Sequence, residues 1–193
     1  MPKRILKPSA ALFPVPVVLV TCQGREGKPN IITIAWTGVV CSEPPMVSVS
    51  VRPGRHSHGL IKESGEFVVN IPSAGMLRVT DFCGVVSGRK VDKFKEARLT
   101  PIPATKVRPP LIQECPVNLE CQVRHSLMLG THEIFIGEVV ALHAEDRVLK
   151  GEAIGLAAVN PMAYGSPEHD YWSIKERIGT YGLSKGRIKE ISE

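Results

Sequence analysis

The chain has 193 residues, 43% of them hydrophobic and 22% charged, with a formal net charge of +5 and an isoelectric point near 9.0. That length and balance place it among ordinary globular proteins, as one domain able to bury about 70% of the surface its unfolded form exposes. No stretch approaches the ~18 consecutive apolar residues of a membrane span, and dispersed basic residues with only 5% aromatics argue against a base-stacking nucleic-acid platform.

The start of the chain, MPKRILKPSAALFPVPVVLV, is basic and then apolar, as a secretory signal would be. Pro8, Pro14 and Pro16 interrupt the apolar stretch and no A-x-A cleavage site precedes a polar start, so the expectation is a cytoplasmic protein. Cys22, Cys41, Cys83, Cys115 and Cys121 are scattered and form no C-x-x-C pair. They read as small buried thiols kept reduced, not as a disulfide framework or a zinc site. The positive charge is partly local to KERIGTYGLSKGRIKE near the end, and a positive field suits small phosphorylated ligands.

Val15 to Cys22 (VPVVLVTC) is a β-branched run patterned as a strand buried on both faces. The turn QGREGKPN joins it to Asn30 to Thr37 (NIITIAWT), predicted as its antiparallel neighbour. Met46 to Arg52 alternates strictly, with Val47, Val49 and Val51 on one face and Ser48, Ser50 and Arg52 on the other, before Pro53-Gly54 breaks it. SHGLIKESG is predicted as a short helix with Ser57 as N-cap and Gly65 as stop, and Glu66 to Ile71 as the next strand. Ser73 to Cys83 carries a loose apolar stripe of Met76, Leu77, Val79 and Phe82 and reads as a helix. Asp92 is placed to cap another over DKFKEA. Pro101, Pro103, Pro109, Pro110 and Pro116 make Thr100 to Pro116 an extended surface connection. Beyond it, Val117, Leu119, Cys121 and Val123 alternate with polar neighbours, and Glu133 to Ala144 returns after a turn near Gly130. Gly137 marks a bend or a close backbone approach. Short strands joined by tight turns, with helices inserted and not alternating, predict a mainly β antiparallel barrel.

A sheet with one apolar and one hydroxyl face, leading into a cationic turn, suits a flat anionic ring system and points to a flavin nucleotide. Arg52-Pro53-Gly54-Arg55-His56-Ser57-His58 offers a phosphate dianion two arginines, a glycine-loosened turn and a hydroxyl at a helix N-terminus. The plainer alternative is an exposed basic turn with an ordinary serine cap. Backbone amides at Ala35-Trp36-Thr37 suit the pyrimidine edge of a flavin, where negative charge develops on reduction; Trp36 reads equally as a core aromatic. His56-x-His58 has no further ligand at a sensible spacing, so no metal is assigned. Glu133 and Glu138 lie on opposite faces of a strand, a poor acid–base pair. Phosphate loops of the G-x-x-x-x-G-K-[ST] and G-x-G-x-x-G types and a G-x-S-x-G nucleophile turn are absent.

The segments VLVTC, NIITIAWT, VSVSV with its RHS turn, EFVVNIP, SGRKVDKF and HEIFIGEV occur in this order over about Val15 to Leu142. Together they resemble the flavin reductase-like family of FMN-binding split barrels, and within it the flavoredoxin-like branch. The resemblance implies a six-stranded antiparallel Greek-key split barrel with a few short helices. It makes residues 1–193 a single domain, with a C-terminal extension at about 160–193. It also implies a homodimer with FMN in a groove near the subunit interface. Asn30, Thr33, Ala35, Trp36 and Thr37 would line the ring and ribityl chain. Ser48, Val49 and Ser50 would contact their edges, Arg55, His56 and Ser57 the phosphate, and Lys93 and Phe94 the flavin from a loop. His132 would sit at the mouth where a nicotinamide stacks, with a pKa range suited to proton transfer; a surface histidine with an ordinary hydrogen bond is the alternative.

The implied activity moves electrons from NAD(P)H or a redox partner through FMN to free flavin, a ferric chelate or a protein. A non-enzymatic FMN electron carrier is the alternative. Short flavin reductases carry a Leu and a Gln-bearing helix where this chain has NIPSAGMLRVTDFCG, and the extension PMAYGSPEHDYWSIKERIGTYG is also a departure from them. With Tyr164, Tyr171 and Trp172, that extension is placed to cover the site or clasp a partner subunit, or it is an ordinary surface tail.

Overall fold

The computed structural model describes residues 1–174 and 176–183, so Lys175 and the end of the basic C-terminal stretch lie outside the described residues. Seven antiparallel strands form one sheet: β1 (Val18–Cys22), β2 (Asn30–Ile34), β3 (Thr37–Cys41), β4 (Met46–Val51), β5 (Glu66–Ile71), β6 (Val117–Leu129) and β7 (His132–Ala144). Their spatial order is β2-β1-β5-β6-β7-β4-β3. The sequence predicts six strands; the seventh comes from a break in the expected Asn30–Thr37 strand. β2 pairs with β1 from Val18 opposite Ile34 to Cys22 opposite Asn30. The chain then bends at Ala35-Trp36, and Thr37–Cys41 pairs with β4 on the far edge of the sheet. Local alternation gives no sign of this strand, because it is an edge strand whose Val39 and Val40 are 78% and 48% exposed. The bend ties the two edges together: the Ser50 amide donates to the Trp36 carbonyl at 2.9 Å.

The expected alternation of β4 holds, with Val47, Val49 and Val51 in a core shared with Val20, Ile32, Phe67 and Phe135. β1 is buried along its whole length because a second cluster covers its other face, where Leu19 packs with Ile31, Cys83, Phe94 and Ile112. Full burial of each such side chain stabilises by about 1.5–3 kcal/mol. The run expected to continue back to Val15 is divided: Val15–Pro16 leaves this sheet and pairs with Met162–Gly165, which pairs in turn with Asp170–Ser173.

Gly137 marks both a bend and a close approach. The β6–β7 register shifts between Ile136 and Gly137, and a Cβ there would lie 2.6 Å from Phe67 Cζ. Gly137→Ala is therefore expected to cost about 1–3 kcal/mol by overpacking, read as a lowered urea midpoint at unchanged m-value.

Three of the helices among the described residues border the candidate site: α1 (His56–Ser64), α2 (Leu77–Val85, entered through a 3-10 turn at Ala74–Met76) and α3 (Lys93–Glu96). Gly65 stops α1 in the left-handed region at φ 69°, and the Asp92 carboxylate caps α3 by accepting from the Lys95 amide. Ser57, expected as the α1 cap, is not: Arg55 holds that position without a side-chain bond, and Ser57 lies two residues further on, 1% exposed. Its hydroxyl accepts instead from Asn30 Nδ2 at 2.8 Å.

The expected surface connection over Thr100–Pro116 is also corrected. Val107, Leu111, Ile112 and Cys115 are buried, and Pro101–Ile102 pairs with Leu111–Ile112. Burial is possible because buried side chains take up the backbone donors that prolines do not remove. Glu120 accepts from the amides of Thr105 (2.8 Å), Lys106 (2.6 Å) and Val107 (3.1 Å), and Asn70 Oδ1 accepts from the Ile112 amide at 2.9 Å. Among the described residues, no helix is long and apolar enough to cross a membrane.

Candidate functional site

Two adjoining cavities open where β2, the start of α1 and the end of α2 meet. The larger, about 490 Å³, is walled by Thr33, Ile34, Ala35 and Trp36, by Ser50, Arg52 and Arg55, by His132, and on its outer side by Asp81, Tyr164, His169 and Tyr171. The smaller, about 200 Å³, is lined by Asn30, Arg55, His56, Ser57, Ser87, Gly88 and Lys93. Ile32, Arg55 and Gly84 belong to both, so the two form the ends of one continuous groove.

The small end gathers cationic and hydroxyl side chains. Lys93 is 4% exposed and its Nζ donates to the carbonyls of Ile31 (2.7 Å) and Cys83 (2.6 Å). An ammonium group has three donors, so one remains for a ligand, and no carboxylate among the described residues pairs with it. Burial pushes the Lys93 amine below its usual range, and nearby Arg55 adds to this. His56 is pushed down too, by burial and then by the charges of Arg89 and Lys93. An unpaired buried cation is costly, and its presence in a cavity argues for an anion that completes the site. Arg89 Nη1 donates to the Gly54 carbonyl at 3.0 Å and ties the 87–89 loop to the Arg52–Arg55 turn. Gly88 lets that loop approach closely, since a Cβ there would fall 1.9 Å from Asn30 Oδ1. Cys22, beside Ser57, is held as a thiol, its pKa pushed up to about 12 by burial.

At the large end, Trp36 is 42% exposed and lines the wall, so it is not the core aromatic that was the alternative. Its ring is parallel to that of His132 within 4°, with centroids 6.5 Å apart. Arg52 Nε lies 3.4 Å from His132 Nε2. Burial, then the Arg52 charge, lowers the His132 pKa below its usual 6.5, which keeps the ring neutral at pH 7.

Beneath the mouth, His58 Nε2 meets Glu133 Oε2 at 2.7 Å and Lys62 Nζ lies 3.2 Å from the same oxygen. Burial pushes the Glu133 carboxyl up, but bonds from His58, Lys62 and Ser126 outweigh it and leave the group below its usual range. This pair fastens α1, which carries Arg55–Ser57, to β7, which begins at His132.

Of the residues expected at the site, Thr33, Ala35, Trp36, Ser50, Arg55 and His132 meet at the large cavity, and Asn30, Arg55, His56, Ser57 and Lys93 at the small one. Thr37, Ser48, Val49 and Phe94 line neither. The Thr37 hydroxyl is spent on the Ser48 carbonyl at 2.6 Å, Ser48 is 8% exposed, and Val49 and Phe94 pack in the two cores. His56 and His58 diverge, one to the small cavity and one to Glu133. Sequence reasoning missed Asp81, Ser87, Gly88 and His169. SGRK was available as a signal for the loop at Ser87–Gly88; His169 carried none beyond its place in the extension.

The fold recurs in known proteins. A family model described as "Flavin reductase like domain" matches residues 10–166. A protein of Archaeoglobus fulgidus is 36% identical over 141 residues, covering 73% of this chain and 78% of its own. Among solved structures, the chain is similar to a flavoredoxin of Desulfovibrio vulgaris (Miyazaki F), 30% identical with a TM-score of 0.89 over 95% of this chain and all of that one. It is also similar to a flavoredoxin from Methanosarcina acetivorans, 32% identical with a TM-score of 0.86 over 94% and 97% of the two chains. With its split, curled sheet and its two-ended groove, this chain belongs to the flavin reductase-like family, on the flavoredoxin-like side of it.

Proposed function

We propose that the protein is an FMN-binding oxidoreductase of the flavin reductase or flavoredoxin type. Lys93 carries this reading: a buried cation with a spare donor, at the end of a groove whose other end is wide, flat-walled and partly aromatic. The residues fit the nucleotide. Lys93, Arg55, His56 and Ser57 would hold the phosphate, with the Ser87–Gly88 backbone closing over it. Asn30 would fix Ser57 through their 2.8 Å bond. Thr33, Ala35, Trp36 and Ser50 would line the ring and ribityl chain. Thr37, Ser48, Val49 and Phe94 would support this wall from behind. When bound, FMN supplies hydride and single-electron chemistry; the protein supplies orientation and electrostatics. His132, neutral and stacked parallel to Trp36, would offer a flat face to a nicotinamide from NAD(P)H at the mouth, and free flavin or a ferric chelate would be the acceptor.

Arg55→Ala with Ser57→Ala is expected to weaken FMN binding on the order of a hundredfold, about 2.7 kcal/mol, measured by quenching of FMN fluorescence; unchanged affinity refutes the phosphate assignment. A second reading, an FMN carrier passing electrons between proteins, is favoured by the exposed position of Trp36 at the mouth. Anaerobic mixing with NADH or NADPH separates the two, since rapid bleaching of bound flavin marks a reductase and none marks a carrier. A homodimer belongs to the same proposal. Val39, Val40, Leu127, Met128 and Leu129, from 48% to 78% exposed, provide apolar surface of the kind such contacts cover.

A further inference from the structure

We infer that the hairpin of Met162–Gly165 and Asp170–Ser173 makes the outer wall of the large cavity a binding site for a neutral planar ring compound, with His169 donating a hydrogen bond to its carbonyl oxygen. The inference rests on the flavin reading, in which the cofactor ring lies against Thr33–Trp36 and a second molecule takes the space left facing the hairpin.

Three observations converge on this wall. Its faces are aromatic: Tyr164 and Tyr171 meet edge to face with centroids 5.5 Å apart, and Tyr164 and His169 lie 6.3 Å apart. Such faces recognise a flat conjugated ring. Its donor capacity is narrow. The Tyr171 hydroxyl is committed to Asp81 Oδ1 at 3.1 Å, and burial and then Asp81 push its pKa up to about 12, so it stays a neutral phenol. The Tyr164 hydroxyl meets His169 Nδ1 at 2.8 Å; donated there, this bond leaves the ring proton on Nε2. Nε2 has no partner among the described residues. Finally, the wall carries the Asp81 carboxylate and no lysine or arginine, which disfavours an anion on this side.

His169 sits at φ 62° in the hairpin turn, its amide bonded to the Gly165 carbonyl at 2.8 Å. Glycine or asparagine adopts that conformation at lower cost.

The test uses coumarin, a neutral, flat, redox-inert lactone, titrated calorimetrically into the FMN-loaded protein, with coumarin-3-carboxylate as its anionic counterpart. FMN affinity is measured first for each variant. His169→Gly suits the positive φ and removes the ring; it is expected to retain FMN and to bind coumarin about tenfold more weakly. His169→Asn keeps the backbone conformation but its shorter amide reaches only the position of Nδ1, facing Tyr164, so it is expected to weaken coumarin binding as His169→Gly does. Coumarin binding unchanged in His169→Gly, no coumarin binding at all, or tighter binding of the carboxylate would each overturn the inference, the last by assigning recognition to Arg52. Loss of FMN together with coumarin in His169→Gly also overturns it, since the hairpin then serves cofactor retention. Failure of the parent protein to take up FMN is seen before coumarin is added and sinks the flavin reading itself, and the inference with it.

Discussion

A Lys93→Met protein is expected to fold and yet to bind FMN on the order of a hundredfold more weakly, about 2.7 kcal/mol. Two opposing effects govern its stability without ligand. The substitution leaves the Ile31 and Cys83 carbonyls without their donor, at about 1–3 kcal/mol in total because a buried acceptor goes unpaired. It also removes a buried cation that has no counter-ion, and that relief is of comparable size. Unliganded melting temperatures of parent and variant should therefore lie close together. With FMN at a hundred times the parent's Kd, the parent gains about 2.7 kcal/mol by mass action, and the variant gains little. A variant that melts upward with FMN as far as the parent would show that the phosphate does not meet Lys93.

Glu120→Gln is expected to destabilise the fold by about 3 kcal/mol at pH 7 without touching either cavity. The Glu120 carboxylate is fully buried. It accepts from the Thr105 amide and hydroxyl, both at 2.8 Å, from the Lys106 and Val107 amides, and meets His143 Nε2 at 2.6 Å. Burial pushes its pKa up, but the Thr105 and Lys106 amides, His143 and the Thr105 hydroxyl together outweigh that and bring it from the usual 4.5 to about 2. A carboxyl group with a depressed pKa stabilises the fold fully above its unfolded value near 4.5. That contribution is lost as pH falls toward about 2 and amounts to about 3 kcal/mol for a shift of this size. Urea unfolding at pH 7 and at pH 3 should show the parent losing stability on acidification and the Gln variant losing less, because its share is already gone. Equal acid sensitivity in the two proteins would mean that another carboxylate governs the transition.

Three backbone amides of the 100–116 segment thus bond to one glutamate, fifteen residues beyond Thr105, and this is why the local pattern points to a surface connection where the structure buries one. Its prolines suggest solvent exposure, since loops carry backbone groups that need water. A buried carboxylate that gathers three amides replaces that water, and nothing in the local pattern announces it. The same holds for the hairpin over the large cavity. Tyr164, His169 and Tyr171 reach the site because Val15–Pro16 pairs with Met162–Gly165 across the length of the chain, and the expected cover, clasp or tail of residues 160–193 gave no preference among the three.

What the amino-acid order determined was whatever repeats at short range. Valine–serine alternation placed Val47, Val49 and Val51 inward and sent Ser50 and Arg52 to the groove. The glycine-loosened basic turn before α1 put Arg55, His56 and Ser57 beside one another whatever the rest of the chain did. What only the tertiary structure decided was which of these residues share a groove and which, like Val49 and Phe94, stand behind its wall. It also decided that Trp36 turns a corner joining two sheet edges, and that Lys93 reaches under β2 with no carboxylate to meet it. Side-chain periodicity is set by backbone geometry within a few residues, whereas edge pairing and the burial of a charge depend on partners tens of residues away, whose arrival no local pattern encodes.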